Sequence, residues 1–391
     1  MKAPESHKKG GLEIHPYAWL AAEALFLLFI LWQLWNFEIF LFIVPVSGKL
    51  IFLFILLLRA AEFFVKGGKP VASPKLVKVL EALESTKILY VILVLSFVAY
   101  LLSKNVLFGY MVALSILLLV AEEIARGIVD GGLKSEIRET RIAMYFALGL
   151  WFGAGAVLQT SSPINAIVSC SMLPAMERGD LVLLHGGEVN APGVRMSSEE
   201  VLAIGKNASV SYGNLTFEVE GSVYNYCVLH RNERACLEFV ANPEAFSERK
   251  GPLEFKYSKC ERYTPASRAS GYGPCLTSVY YNGEKVSAGQ VGDVVVYAPK
   301  QGDIFALSGD IIHRVWLKIE TPDGNYYVIK GDNNPVADIE VYDARFGGNS
   351  LASEKQLKGR VLFRIPYVGY FKLFLSGFVE EGESCSSYLK Y

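Results

Sequence analysis

The sequence carries almost no excess charge. It has 38 Lys and Arg against 39 Asp and Glu, a formal net charge of −1. That balance argues against a general nucleic-acid binder, which needs a basic face for phosphates. None of the six cysteines has tight Cys-x-x-Cys spacing, so no zinc or other metal site is expected. A cleavable signal peptide is not expected either. The first apolar run starts near Pro16, is too long, and has no small-residue cleavage site. The apolar segments hold no ionisable pair of the kind that marks a transport path. Glu23, the one acid well inside such a segment, reads as snorkelling or pairing between helices.

Hydrophobic residues are plentiful: 52% of 391 positions, with the excess before residue 161. Five segments, 17–36, 39–64, 87–103, 105–125 and 142–160, are apolar and long enough to cross about 30 Å as helix. Pro45, Ser47, Gly48 and Lys49 interrupt the second, so a kinked span and a re-entrant hairpin both stay open. Lys2, Lys8 and Lys9 precede the first segment. Arg59, Lys66, Lys69, Lys75 and Lys78 follow the second, and Arg126, Lys134, Arg138 and Arg141 lie between the fourth and fifth. The positive-inside rule then puts the N-terminus inside and everything after the fifth segment outside. Residues 65–86, with Pro70 and Pro74, read as a cytoplasmic linker and surface helix. The bundle, residues 1–160, reads as an anchor in the lipid bilayer. The alternative is a docking platform for the protein translocation machinery.

Beyond residue 161 the pattern changes. Strand-like runs at Leu181–Leu184, 292–297, 304–308, 311–319, 325–330 and 360–365 are separated by Gly, Asp and Pro, which predicts a mostly β domain. Residues 185–287 are rich in Gly, Ser and Tyr with short alternating runs, which predicts a small β-rich lobe. Cys227, Cys236, Cys260 and Cys275 fall inside it and fit an oxidising compartment. Short separations suggest Cys227 with Cys236 and Cys260 with Cys275, but four cysteines allow three pairings. Asn207-Ala208-Ser209 and Asn214-Leu215-Thr216 are glycosylation sequons, a weak pattern that agrees with an external position. His185 and His230 have no motif around them and read as surface or structural histidines. The aromatic tail, Ile365–Phe371 with Phe374 and Phe378, suits either the membrane interface or the core.

Three stretches carry the chemistry. The first is Ser169-Cys170-Ser171-Met172-Leu173-Pro174, followed by Arg178-Gly179-Asp180. The second is Gly309-Asp310-Ile311-Ile312-His313-Arg314-Val315, and the third is Lys330-Gly331-Asp332-Asn333-Asn334 with Asp338. A Ser hydroxyl is a weak nucleophile until a base takes its proton, and a His with an orienting Asp supplies such a base. Asp332 and Asp338 are both candidates for that Asp, with Asp338 preferred; either acid also suits turn capping. Strict strand alternation would put Lys318 on the face away from His313, which disfavours a Ser–Lys dyad. Asp180 and Asp293 read as turn anchors.

These boxes, in this order, resemble signal peptidase I, a membrane-bound serine protease family. His313 aligns the chain with the archaeal and endoplasmic-reticulum type rather than with the bacterial type, which uses Lys. The resemblance implies Ser171 as nucleophile, His313 as base, and an oxyanion site made by the Ser171 N–H and the Ser169 hydroxyl. Cys170 departs from the usual Gly between the serines. In that family the strands near 181 and 292 lie close in sequence, so 185–287 reads as an extracytoplasmic insertion, dispensable for the chemistry. Residues 161–184 and 288–391 are then the catalytic core. The expected fold class is an N-terminal all-α transmembrane bundle followed by a mostly β signal-peptidase-like domain with a β-rich insertion. The expected activity is removal of signal peptides from exported preproteins, with no metal or organic cofactor. The expected location is the cell membrane with the site outside, or the endoplasmic-reticulum membrane with a lumenal site. Two other readings are a catalytically silent scaffold and a protease dedicated to one cell-surface substrate. Ser171 follows the last apolar segment by about eleven residues, so an extended chain places it within roughly 35 Å of the bilayer.

Overall fold

The computed structural model of the chain describes residues 54–55, 57–62, 64–65 and 73–390. The expected segment 17–36, with Glu23, lies outside the described residues, as does most of 39–64. Two compact units divide the chain: Met1–Pro70 with Asp130–Tyr145, and Val71–Val129 with Phe146–Tyr391. In the first, Arg141 pairs with Glu62 at 2.7 Å. The site belongs to the second.

Helix α1 spans Pro74–Thr86, with Pro74 in its first turn and Ser73 capping the Leu76 N–H. Lys87, in the left-handed region, ends it and leads into α2, Ile88–Ser103, at a bend of 51°. Helices α3 (Val106–Gly131) and α4 (Leu133–Leu158) follow. Among the described residues, α3 and α4 are long and apolar enough to cross a membrane, and α1 with α2 makes a third if the bent pair counts as one.

Among the described residues the β domain holds two large sheets and a two-stranded one, β13 (Tyr342–Asp343) with β14 (Gly347–Gly348). The first runs β1 (Ile164–Ala166), β2 (Leu181–His185), β16 (Leu357–Ile365), β10 (Val294–Tyr297), β11 (Ile311–Thr321), β12 (Gly324–Lys330) and β15 (Ala352–Ser353). Strand β3 (Gly193–Arg195) adds parallel to β11. The second runs β5 (Leu215–Glu220), β4 (Asn207–Tyr212), β6 (Phe246–Lys250), β7 (Leu253–Thr264), β8 (Ala269–Tyr281) and β9 (Glu284–Ala288). Strand β17 (Tyr388–Lys390) pairs with β7. Apolar helices first and a mostly β domain afterwards is the fold class expected from the sequence. Residues 304–308, expected as a strand, instead form a 3₁₀ turn between β10 and β11.

The two sheets share one core. Trp316, Leu317, Ile319 and Val328 of the first pack with Val210, Phe246, Phe255, Tyr257 and Leu276 of the second. A bulge at Trp316 makes this possible: Val315 pairs with Ile329, but Leu317 pairs with Val328. The extra residue reverses which face the following side chains take. Lys318, opposite Tyr327, therefore shares the His313 and Val315 face, against the alternation expected from sequence. Its ammonium is held by Glu188 at 2.9 Å and Glu320 at 3.2 Å.

The aromatic tail divides. Tyr370, Leu373 and Phe374, in the helix Gly369–Leu375, are buried with Tyr100 and Val112 of α2 and α3. Tyr367, Val368, Leu375 and Phe378 are exposed. Gly179 is required here, since at φ +88° a Cβ would stand 2.2 Å from the Tyr370 ring.

Candidate active site

Ser171 sits in an irregular turn between β1 and β2. The turn is held from outside itself. The Asn333 N–H donates to the Ser171 carbonyl at 2.7 Å, and the Asn333 amide donates to the Cys170 carbonyl at 3.0 Å. Gly331 lets the two loops meet: a Cβ there would lie 2.8 Å from the Ser171 carbonyl oxygen. Arg178 is buried and donates to the Val168 carbonyl at 3.1 Å, the Tyr100 hydroxyl at 2.9 Å and the Phe378 carbonyl at 2.6 Å. Asp180 caps the Glu177 N–H at 2.9 Å, and Asp293 caps the Asn190 N–H at 2.9 Å.

His313 lies on β11 opposite Val295 of β10. Its Nε2 is 2.9 Å from Ser171 Oγ. Its Nδ1 is 2.9 Å from both carboxylate oxygens of Asp338. Asp338 opens the short 3₁₀ helix Asp338–Glu340. Asp338 and His313 are each only 4% exposed, whereas Ser171 is half-buried and Ser169 is exposed. The line thus runs from a covered acid to an open hydroxyl. Such a line can take a proton from the serine and hold the imidazolium that results. Ser169 Oγ stands 3.1 Å from Ser171 Oγ.

Asp332 is not part of this line. It is fully buried and receives Arg314 Nε at 2.9 Å and Nη2 at 2.8 Å. The reason is local: His313 and Arg314 are consecutive on a strand and point to opposite faces, so each meets a different acid. Lys330, which opens that box, is buried beside Trp316, its ammonium 4.9 Å from the ring centroid. Burial pushes it down to about 7, against the opposing pull of Asp332, Glu340 and Asp338.

The six cysteines form three disulfides: Cys227–Cys236, Cys260–Cys275 and Cys170–Cys385. The last of these joins two cysteines outside the 227–275 group. Their separation of 215 residues gives no local cue. Cys170 is therefore a bonded cystine half between the two serines, not a competing thiol. Among the described residues no group of His, Cys, Asp and Glu is arranged to hold a metal ion.

No family model matches the chain. Individual relatives do. The "Signal peptidase complex catalytic subunit SEC11" of Fusarium vanettenii is 38% identical over 87 residues, 22% of this chain and 46% of the relative. The protein of the same description from Metarhizium acridum is 40% identical over 86 residues, 22% of this chain and 45% of the relative. The chain is similar to signal peptidase catalytic subunits. The family resemblance read from the motifs is thereby shown, over part of the length. An uncharacterised protein of Methanocaldococcus jannaschii is 41% identical over 71 residues, 17% of this chain and 30% of the relative. The chain spans about half the length of the first curated relatives it matches.

Two groups near the signal-peptidase-like boxes escaped the sequence reading. Tyr297, closing β10, donates its hydroxyl to Asp338 Oδ2 at 2.8 Å. Burial, with the charge of Asp338, pushes that phenol well above its ordinary value, so it stays protonated and a donor. The second is Asn333, whose side chain and backbone hold the Cys170–Ser171 turn. Tyr297 ends a run of apolar residues and reads as core until its hydroxyl is placed.

Proposed function

We propose that this chain is a membrane-bound serine endopeptidase that removes N-terminal signal peptides from exported preproteins. Ser171 Oγ attacks the scissile carbonyl while His313 Nε2 takes its proton. Asp338 fixes the imidazole tautomer and stabilises the imidazolium, which then protonates the leaving amine. The Ser171 N–H and the Ser169 hydroxyl receive the oxyanion. Residues 1–160 are the membrane domain. Residues 161–184 and 288–391 are the catalytic core, and 185–287 are an insertion on the extracytoplasmic side. Partners are the signal peptide, the bilayer and the translocation machinery.

The observation that carries this reading is the line Ser171–His313–Asp338, with both links at 2.9 Å, in a chain similar to signal peptidase catalytic subunits. Mass spectrometry of a preprotein incubated with wild type and with Ser171→Ala tests it. The expected result is one new N-terminus after a small-residue motif, absent with the variant. Equal cleavage by the two proteins overturns the serine mechanism. No cleavage of any preprotein by the folded wild type favours a silent scaffold.

A further inference from the structure

We infer that Arg262, on the second sheet, is a positioning residue for Ser171, acting through Asn333. This rests on Ser171 being the nucleophile, as proposed above, and goes further by giving the inserted sheet a part in the site.

Asn333 is 5% exposed and engaged at every polar atom. Its N–H reaches the Ser171 carbonyl at 2.7 Å. Its Nδ2 faces three carbonyls, of Cys170 at 3.0 Å, Ser387 at 2.9 Å and Ser384 at 3.3 Å. Its Oδ1 faces two donors, the Arg262 guanidinium at 3.1 Å and the Leu389 N–H at 3.0 Å. Its carbonyl receives the other Arg262 nitrogen at 3.3 Å. Only one orientation of the amide satisfies all these contacts. Arg262 therefore clamps both ends of the residue that carries the nucleophile turn, in the two-pronged manner a guanidinium allows.

The same turn is tied a second time. Cys170, next to Ser171, is bonded to Cys385, and the segment after it forms β17. In that pairing Leu389 stands opposite Arg262 itself. The second sheet, the 384–390 segment and the Asn333 loop thus form one frame around residues 170–171. The Ser171–His313 distance depends on that frame, because neither neighbour of Ser171 lies in a regular strand.

Arg262 also borders a cavity of about 180 Å³ with Tyr224, Tyr272, Pro274 and Pro335. A residue that contacted substrate there would alter KM. A positioning residue alters kcat, since misplacing reacting groups by about 1 Å costs up to a hundredfold.

The experiment compares the purified full-length protein, reconstituted in liposomes, as wild type, Arg262→Ala, Arg262→Lys, Arg262→Gln and Ser171→Ala. With Arg262→Ala we expect kcat to fall about 10- to 100-fold with KM within twofold. The acid limb of the pH–rate profile should not move, because Arg262 touches neither His313 nor Asp338. Arg262→Lys should recover part of the loss. If Arg262→Ala does not fold, Arg262→Gln, shorter than Arg but still polar and carrying an N–H donor, is judged by the same criteria. Wild-type kcat in a folded Arg262 variant overturns the inference, and so does a change in KM alone. Activity in Ser171→Ala instead overturns the serine assignment, a separate and distinguishable failure.

Discussion

Arg314 grips Asp332 through two parallel contacts, Nε to Oδ1 at 2.9 Å and Nη2 to Oδ2 at 2.8 Å. The acid is fully buried, so the pair is shielded from solvent on that side. Removing one partner of such a pair typically costs about 3–5 kcal/mol of stability. Asp332→Asn should therefore lower the melting temperature, while whatever folds keeps a near-normal pH profile. Asp338→Asn should do the reverse, losing about 10³–10⁴-fold in kcat with a smaller stability loss, because an amide stabilises the wrong imidazole tautomer. Equal kinetic effects from both variants would contradict the separate assignments.

His313→Ala should abolish turnover, and His313→Lys should not restore it. A lysine base needs a desolvated setting shaped for its ammonium, and the nearby Nδ1 partner Asp338 would hold the charged form instead. Activity should fall as pH drops and the imidazole takes a proton, since imidazolium cannot accept the Ser171 proton. A flat profile between about pH 5 and 8 would refute an imidazole base.

Tyr297→Phe probes the same line one group further back. The phenol donates to Asp338 and spreads its negative charge. Without it the carboxylate charge is concentrated on the imidazolium that forms when His313 takes the Ser171 proton. The acid limb of the kcat/KM profile should move up by less than about one unit. A limb unmoved, or moved down, would show that Tyr297 is packing only.

Much of this site was legible from residue types. Ser171, His313 and Asp338 stand in motifs whose chemistry is local, and strand periodicity separates His313 from Arg314. What was not legible depends on contacts distant in sequence. Cys170 and Cys385 are 215 residues apart. Lys318 was put on the wrong face because the bulge at Trp316 leaves no mark in an apolar run. The insertion was read as dispensable because its sheet carries no motif. Its core is nonetheless continuous with Trp316 and Leu317 of the first sheet. Replacing 188–286 by a short linker would expose that core, and we expect an unfolded or aggregating product in thermal and chromatographic assays.

Glu248 gives a pH-dependence separate from catalysis. It is buried on β6, accepting the Val223 N–H at 2.8 Å and the Tyr257 hydroxyl at 3.0 Å. Glu340, two residues past Asp338, binds the same hydroxyl. Burial, then the charge of Glu340, pushes Glu248 up to about 8, despite Lys250 nearby. From the usual carboxylate range to about pH 8 the native state holds a proton the unfolded chain has released. Stability should fall as pH rises through that window, by at most about 1.4 kcal/mol per unit. Lys330, pushed down to about 7, works the other way: the unfolded chain holds the extra proton, so its share of stability rises with pH from there towards the ordinary lysine range. Comparing wild type with Glu248→Gln removes that background. The denaturant midpoint of the variant should lose less between pH 5 and 8. Parallel curves would refute a protonated Glu248.

Topology is tested by the cysteines and the sequons together. Three disulfides, one beside Ser171, are the pattern of an oxidising compartment. Asn207 and Asn214 are exposed, the latter in the turn between β4 and β5. Both the sheet and the site should therefore lie across the membrane from the side favoured by the basic residues Lys75, Lys78, Lys134 and Arg138. Translation into microsomes should yield a protein with two glycans, each lost with Asn207→Gln or Asn214→Gln. Its thiols should resist alkylation until reduction, after which six should react. An N-terminal tag should remain open to added protease while residues after 161 are protected. A chain without glycans and with six reactive thiols would place Ser171 on the cytosolic side, the wrong side for the proposed cleavage of a chain that has already crossed. A glycosylated chain with a protected N-terminal tag would instead remove one crossing, and the interrupted segment 39–64 would then be the hairpin that turns back.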